Sequence, residues 1–120
     1  MTNLQIDWRT KPRFDRALFD QLAEHTDDVG EIVAVYRQVL PVRRARMLRA
    51  LAEADWGEAR RLAHMAKSGA AMLGLLRLAA LCETIEKAAA AGELDGSGLA
   101  AAIAEEFDAA GALVAEFGGE

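Results

Sequence analysis

His64 and Lys67 stand three residues apart in the run Ala63-His64-Met65-Ala66-Lys67-Ser68-Gly69-Ala70-Ala71-Met72-Leu73-Gly74, and His64 is one of only two histidines in the 120-residue chain. On a helix at about 100° per residue, Gly57, Arg60, Arg61, His64, Lys67, Ser68 and Ala71 fall within roughly 60° either side of His64. Ala59, Leu62, Ala63, Ala66, Gly69, Ala70 and Leu73 take the other side. The histidine therefore sits midway along a wet face, with cationic and small residues a turn before and after it. A neutral imidazole nitrogen is a competent nucleophile near pH 7, and an exposed one is within reach of a large partner. An ammonium one turn on can offset negative charge placed on the ring. Small neighbours such as Ser68 and Ala71 let a second backbone come close. Phosphoryl transfer suits such a set, because it demands positioning and charge neutralisation more than acid–base groups.

Composition narrows the classes. Fourteen Lys and Arg against nineteen Asp and Glu give a net charge of −5, which argues against nucleic acid as the main partner. Two prolines, 6% aromatic residues and abundant Ala, Leu, Glu and Arg point to an all-helical chain. The single cysteine excludes an internal disulfide framework and a zinc-finger motif. No run of about 18 uncharged apolar residues exists, and no signal segment opens the chain, so a cytoplasmic protein with no membrane partner is expected. There is no glycine-rich nucleotide loop and no length for an ATP-binding domain, so chemistry driven directly by ATP is not expected of this chain.

Taken in order, residues 1–13 form a lead-in segment or short helix with Ile6 and Trp8 as its sizeable apolar groups, and Pro12 marks a break. Phe14, Leu18 and Leu22 give a short amphipathic helix to about Glu24, followed by a turn and N-cap at His25, Thr26 and Asp27. Val29, Ile32, Val33, Tyr36, Val39 and Leu40 begin a long stripe that resumes at Met47, Leu48 and Leu51. Pro41 between them predicts a kink or brief break. Asp55-Trp56-Gly57-Glu58 reads as a capping box opening the histidine helix, which fades between Gly69 and Gly74. Leu75, Leu78, Leu81, Cys82, Ile85 and Ala89 line a further helix ending at Gly92. Asp95-Gly96-Ser97-Gly98 is a turn with capping residues. Leu99, Ile103, Phe107, Ala110, Val114 and Phe117 form the last stripe, and residues 118–120 are a frayed tail. These stripes need one another. They predict an antiparallel, up-down four-helix bundle over residues 14–117 with an additional short N-terminal helix, able to close alone as a monomer.

The segment from Ala63 to Glu86 resembles the signature of the histidine-containing phosphotransfer (HPt) domain family. That signature has a histidine, lysine at +3, glycine at +4, small residues at +5 to +7 and a second glycine at +10. His64, Lys67, Ala70, Ala71 and Gly74 occupy corresponding places. The run Leu81-Cys82-Glu83-Thr84-Ile85-Glu86, the Ala54-Asp55 entry into the histidine helix and a kinked long helix before it are also similar to the family, and the resemblance spans roughly Phe14 to Phe117. Ser68 stands at +4 with Gly69 after it, the reverse of the usual order; both are small, so close approach is still expected. The resemblance implies that His64 is phosphorylated on Nε2, that Lys67 stabilises the phosphate, and that Ser68, Gly69 and Ala71 form a small docking surface. It further implies response-regulator receiver domains and a hybrid sensor kinase as partners. The chain itself would need no cofactor, with Mg²⁺ supplied by the receiver.

Other residues receive plainer readings. His25 is an exposed loop or cap residue, and the two histidines make no metal-ligand spacing. Cys82 packs as a small hydrophobe. Glu105 and Glu106 belong to a solvated face. Arg43, Arg44, Arg46 and Arg49 are a solvated helical face with an Arg49–Glu53 pair, or else they join Arg60, Arg61 and Lys67 as a basic rim for an acidic partner pocket. The competing class is a non-catalytic helical interaction or scaffold module; a dimeric sensor-kinase bundle is disfavoured because this chain has stripes enough to close a bundle alone. A methionine start and a glycine-rich end favour a free-standing protein.

Overall fold

The computed structural model describes residues 8–92 and 96–118. A 3-10 turn at Trp8–Thr10 leads into α1 (Arg16–His25), α2 (Val29–Ala52), α3 (Trp56–Met72), α4 (Leu76–Ala91) and α5 (Gly96–Gly118). No strand occurs among the described residues. Helices α2 to α5 form the antiparallel bundle: α3 packs on α4, α2 on α5, and the α2–α3 and α4–α5 contacts close the ring. The core runs along its axis and includes Met47, Leu73, Leu75, Leu81, Ile85 and Ile103, all fully buried. The apolar stripes expected for the four long helices supply it, although Val29, Ile32, Val39, Leu48, Ala89 and Leu99 are only half-buried and the Phe117 side chain lies outside the described residues.

Two tight turns set the register around the histidine helix. After α2, Asp55 N–H donates to Ala50 O (2.9 Å) and Ala54 N–H to Leu51 O (3.2 Å), with Ala54 in the left-handed region at φ 54. The same pair of bonds recurs after α3, from Leu75 to Ala70 and from Gly74 to Ala71, with Gly74 at φ 81. Three-residue connections of this kind force neighbouring helices to run antiparallel. They bring residues equidistant from the turn side by side.

Several local expectations change. Helix α2 passes Pro41 unbroken. Proline removes one backbone donor, but buried Tyr36 and Leu40 before it and Met47, Ala50 and Leu51 after it anchor both halves to the same core. Only half of the predicted capping box forms: Asp55 Oδ1 accepts from Glu58 N–H (3.2 Å), whereas the Asp55 N–H is taken by Ala50 and the Glu58 carboxylate pairs with Arg61 (2.8 Å). His25 closes α1 rather than lying in a loop, and Asp15 caps that helix through Ala17 N–H at 2.9 Å. Gly96 to Gly98 belong to α5 rather than to a turn; Asp95 lies outside the described residues. Of the expected tail, Gly118 ends α5 and residues 119–120 lie outside the described residues, as do 1–7 of the lead-in.

The larger correction concerns Glu106. It is not on a solvated face but 3% exposed, and Arg13 reaches it from the N-terminal segment with Nε–Oε1 at 3.1 Å and Nη2–Oε2 at 3.0 Å. The same Nη2 donates to exposed Glu105 at 2.6 Å. Three residues after Ile103 and beside Phe107, position 106 falls on the inward side of α5, where a carboxylate is tolerable only with a cation against it. The two carboxylates in turn raise the Arg13 pKa, Glu106 more than Glu105.

Candidate functional site

His64 lies mid-way along α3 with its side chain 68% exposed. Its Nδ1 is 2.7 Å from Glu86 Oε2, and Glu86 Oε1 accepts from Lys67 Nζ at 2.9 Å. One carboxylate from α4 thus bridges the histidine and the lysine of α3. Lys67 holds the Glu86 carboxyl below the usual carboxylate range, with a smaller pull from His64, while partial burial pushes the other way. The ion pair correspondingly raises the Lys67 ammonium above its ordinary value. An ionised carboxylate can only accept, so Nδ1 carries the proton and donates it to Glu86. The lone pair of the neutral ring is then on Nε2, which no described residue engages.

The turn at Leu73–Leu75 explains the pairing. His64 precedes Gly74 by ten residues and Glu86 follows it by twelve, so an antiparallel α3–α4 pair sets them abreast. Glu86 is the functional side chain that sequence reasoning missed, although it stood at the end of the run quoted for the family resemblance.

The other predicted site residues separate into two groups. Arg60, Arg61, Met65 and Gly57 join His64 and Glu86 around a shallow depression of about 390 Å³. Arg61 is committed to Glu58 through two hydrogen bonds (2.9 and 2.8 Å), whereas Arg60 is exposed. Ser68 and Ala71 are exposed on the α4 side of the same helix face. Gly69 is not part of that surface. A Cβ there would lie 2.7 Å from Tyr36 Cζ and closer still to the phenol oxygen, so the residue is a notch into which the α2 tyrosine fits. Gly69→Ala is expected to destabilise the fold by about 1–3 kcal/mol through overpacking, read as a lower midpoint in thermal or urea denaturation.

The arginine cluster of α2 does not form one rim. Arg43 lies over the Tyr36 ring at 5.9 Å, Arg44 pairs with Asp108 of α5 at 3.0 Å, and Arg49 pairs with Glu53 at 3.1 Å as expected. Cys82 is fully buried and its thiol is pushed up to about 12, leaving it inert at neutral pH. Among the described residues no three His, Cys, Asp or Glu side chains are grouped as a metal site, and no helix is long and apolar enough to cross a membrane.

A family model of the Hpt domain matches residues 31–113, more than half of the chain. The chain belongs to the Hpt domain family. Its fold is similar to the crystal structure of histidine-containing phosphotransfer protein B (HptB) from Pseudomonas aeruginosa PAO1, with a TM-score of 0.80 at 25% identity, over 89% of this chain and 95% of that one. No curated protein matches the sequence. Hpt domains are phosphocarriers that exchange phosphate with receiver domains and kinases, and this Hpt domain is a histidine phosphotransfer protein of a phosphorelay.

Proposed function

We propose that His64 accepts a phosphoryl group from the aspartyl phosphate of a response-regulator receiver domain and passes it to the aspartate of another receiver, within a multistep relay fed by a hybrid sensor kinase. The observation that carries this reading is the Glu86 carboxylate on Nδ1, which leaves Nε2 as the nucleophile on an exposed ring. In the transfer a bond forms between Nε2 and phosphorus as the bond from phosphorus to the aspartyl oxygen breaks. The leaving group is the aspartate carboxylate. The proton stays on Nδ1, and the positive charge that develops on the ring lies against Glu86. Lys67 has three N–H donors and uses one on Glu86, so the others are available to phosphoryl oxygens. Onward transfer is the same step in reverse with a different aspartate.

The chain would contribute no cofactor; Mg²⁺ comes with the receiver, and no ATP-dependent kinase activity is expected. The exposed large hydrophobics support a protein partner. Val35 and Val42 on α2, and Met65 and Met72 on α3, are each 45–57% exposed and each pair is seven residues apart on one helix face. Met65 also borders the depression around His64. In this reading the protein acts in the cytoplasm as a monomer, with Arg60 at the rim of the receiver contact.

Incubation with a panel of phosphorylated receivers tests the reading. Acid-labile, base-stable label on the folded protein is the expected result. A panel that leaves it unlabelled would favour a helical interaction module without transfer.

A further inference from the structure

The residues before α1 are fastened across the bundle at four points. Trp8 is buried, the Arg77 guanidinium donates to Lys11 O at 2.8 Å, Arg13 grips Glu106, and Asp15 N–H donates to Gly74 O at 2.7 Å. Gly74 itself is shaped for this strap. A Cβ there would stand 2.5 Å from Asp15 O, on a backbone already at φ 81. Burying a carboxylate and closing a glycine turn over one short segment is a large structural commitment, and its effect is to hold Lys11 in a fixed place.

That place adjoins the histidine site. Lys11 lines a groove of about 430 Å³ together with Lys67, Ser68 and Ala71 of α3 and Ala79 and Ala80 of α4. The groove begins at Lys67, one turn from His64, and between its charged edges it is walled by Ser68, three alanines and Leu76. Its charges are unevenly spent. Glu83 at its edge is paired with Lys87 (2.9 Å) and Lys67 with Glu86, whereas the Lys11 ammonium has no partner among the described residues. A groove whose Lys11 ammonium is unpaired among the described residues, and which meets the reacting histidine through the Lys67–Glu86–His64 chain of hydrogen bonds, fits a protein segment that presents a carboxylate beside a small apolar side chain.

Building on the phosphotransfer reading above, we propose that residues 8–15 complete the receiver-docking face on the α4 side of His64, with Lys11 as a contact that selects receivers carrying an acidic side chain at the matching position. Lys11 acts on association, not on the phosphoryl chemistry.

The test compares wild type, Lys11→Arg, Lys11→Ala and Lys11→Glu with two donors, a phosphorylated receiver and phosphoramidate, a small donor that needs no protein docking. Lys11→Glu is expected to lower receiver transfer by about 10-fold more than it lowers phosphoramidate labelling, chiefly through KM and with a weaker salt dependence. Lys11→Ala is expected to fall between, and Lys11→Arg to stay near wild type. The proposal is overturned if Lys11→Glu transfers from every receiver within about twofold of wild type at low salt, where a rim charge acts most strongly. A wild type labelled by neither donor would instead remove the phosphotransfer reading and the strap proposal with it, so the two failures are distinguishable.

Discussion

His64→Gln is expected to bring receiver-dependent, acid-labile labelling down to background while the folded protein persists. Glutamine has no ring nitrogen with an available lone pair, so the covalent route is lost rather than slowed. The structural cost is small. The His64 side chain is mostly exposed and contributes one hydrogen bond, to Glu86, which the glutamine amide can also donate. Stability is expected to change by no more than about 0.5 kcal/mol, so loss of label cannot be traced to unfolding. The check is paired: receiver-dependent label and a thermal melt on the same preparation. Label surviving in the variant would move the phosphorylated position to His25, the only other histidine, which is exposed at the end of α1.

Glu86 carries the second large effect. Carboxylates that hold the far nitrogen of a metal-bound histidine are typically worth about 10- to 100-fold, and because Glu86 orients His64 in the same way, Glu86→Ala is expected to slow transfer in both directions by about 10-fold or more. The alanine leaves Nδ1 without an acceptor, so the neutral ring is free to place its proton on Nε2 and lose the nucleophile. Glu86→Gln keeps an acceptor for Nδ1–H but loses the ion pair with Lys67, so it is expected to lose less than about 10-fold. Recovery by the amide separates an orienting role from mere packing.

The same residue has a pH signature. The Glu86 pKa is lowered in the folded state, chiefly by Lys67, so its stabilising contribution is complete above the ordinary glutamate pKa and is lost as pH falls through the lowered value. Thermal midpoints of the wild type and Glu86→Gln should therefore converge as pH drops below about 4, the ordinary glutamate range. A constant gap between the two proteins down to pH 3 would mean that the carboxylate charge contributes nothing to the fold.

What was legible in the sequence was whatever one helix decides by itself. Helical periodicity alone put His64 at the centre of an exposed face, Lys67 a turn beyond it, and Leu62, Ala63, Ala66 and Ala70 beneath, because residues three and four apart share a face whatever the helix packs on. The apolar stripes of α2 to α5 likewise announced a bundle, since each needs a partner to cover it. Even the turn glycine at position 74 was visible as a helix stop. Its second task, making room for the Asp15 carbonyl, was not.

Everything that depends on which helix lies alongside, and in what register, was decided by the tertiary structure. Glu86 meets His64 across 22 residues, Arg13 meets Glu106 across 93, and Tyr36 fills the notch at Gly69 across 33. Such pairs leave no periodic trace. A carboxylate at the edge of a stripe looks the same whether it faces water, a lysine or a buried arginine. Burial and the identity of the neighbour make Glu86 an orienting group and Glu106 an anchor, and both are properties of the packed bundle rather than of any single helix.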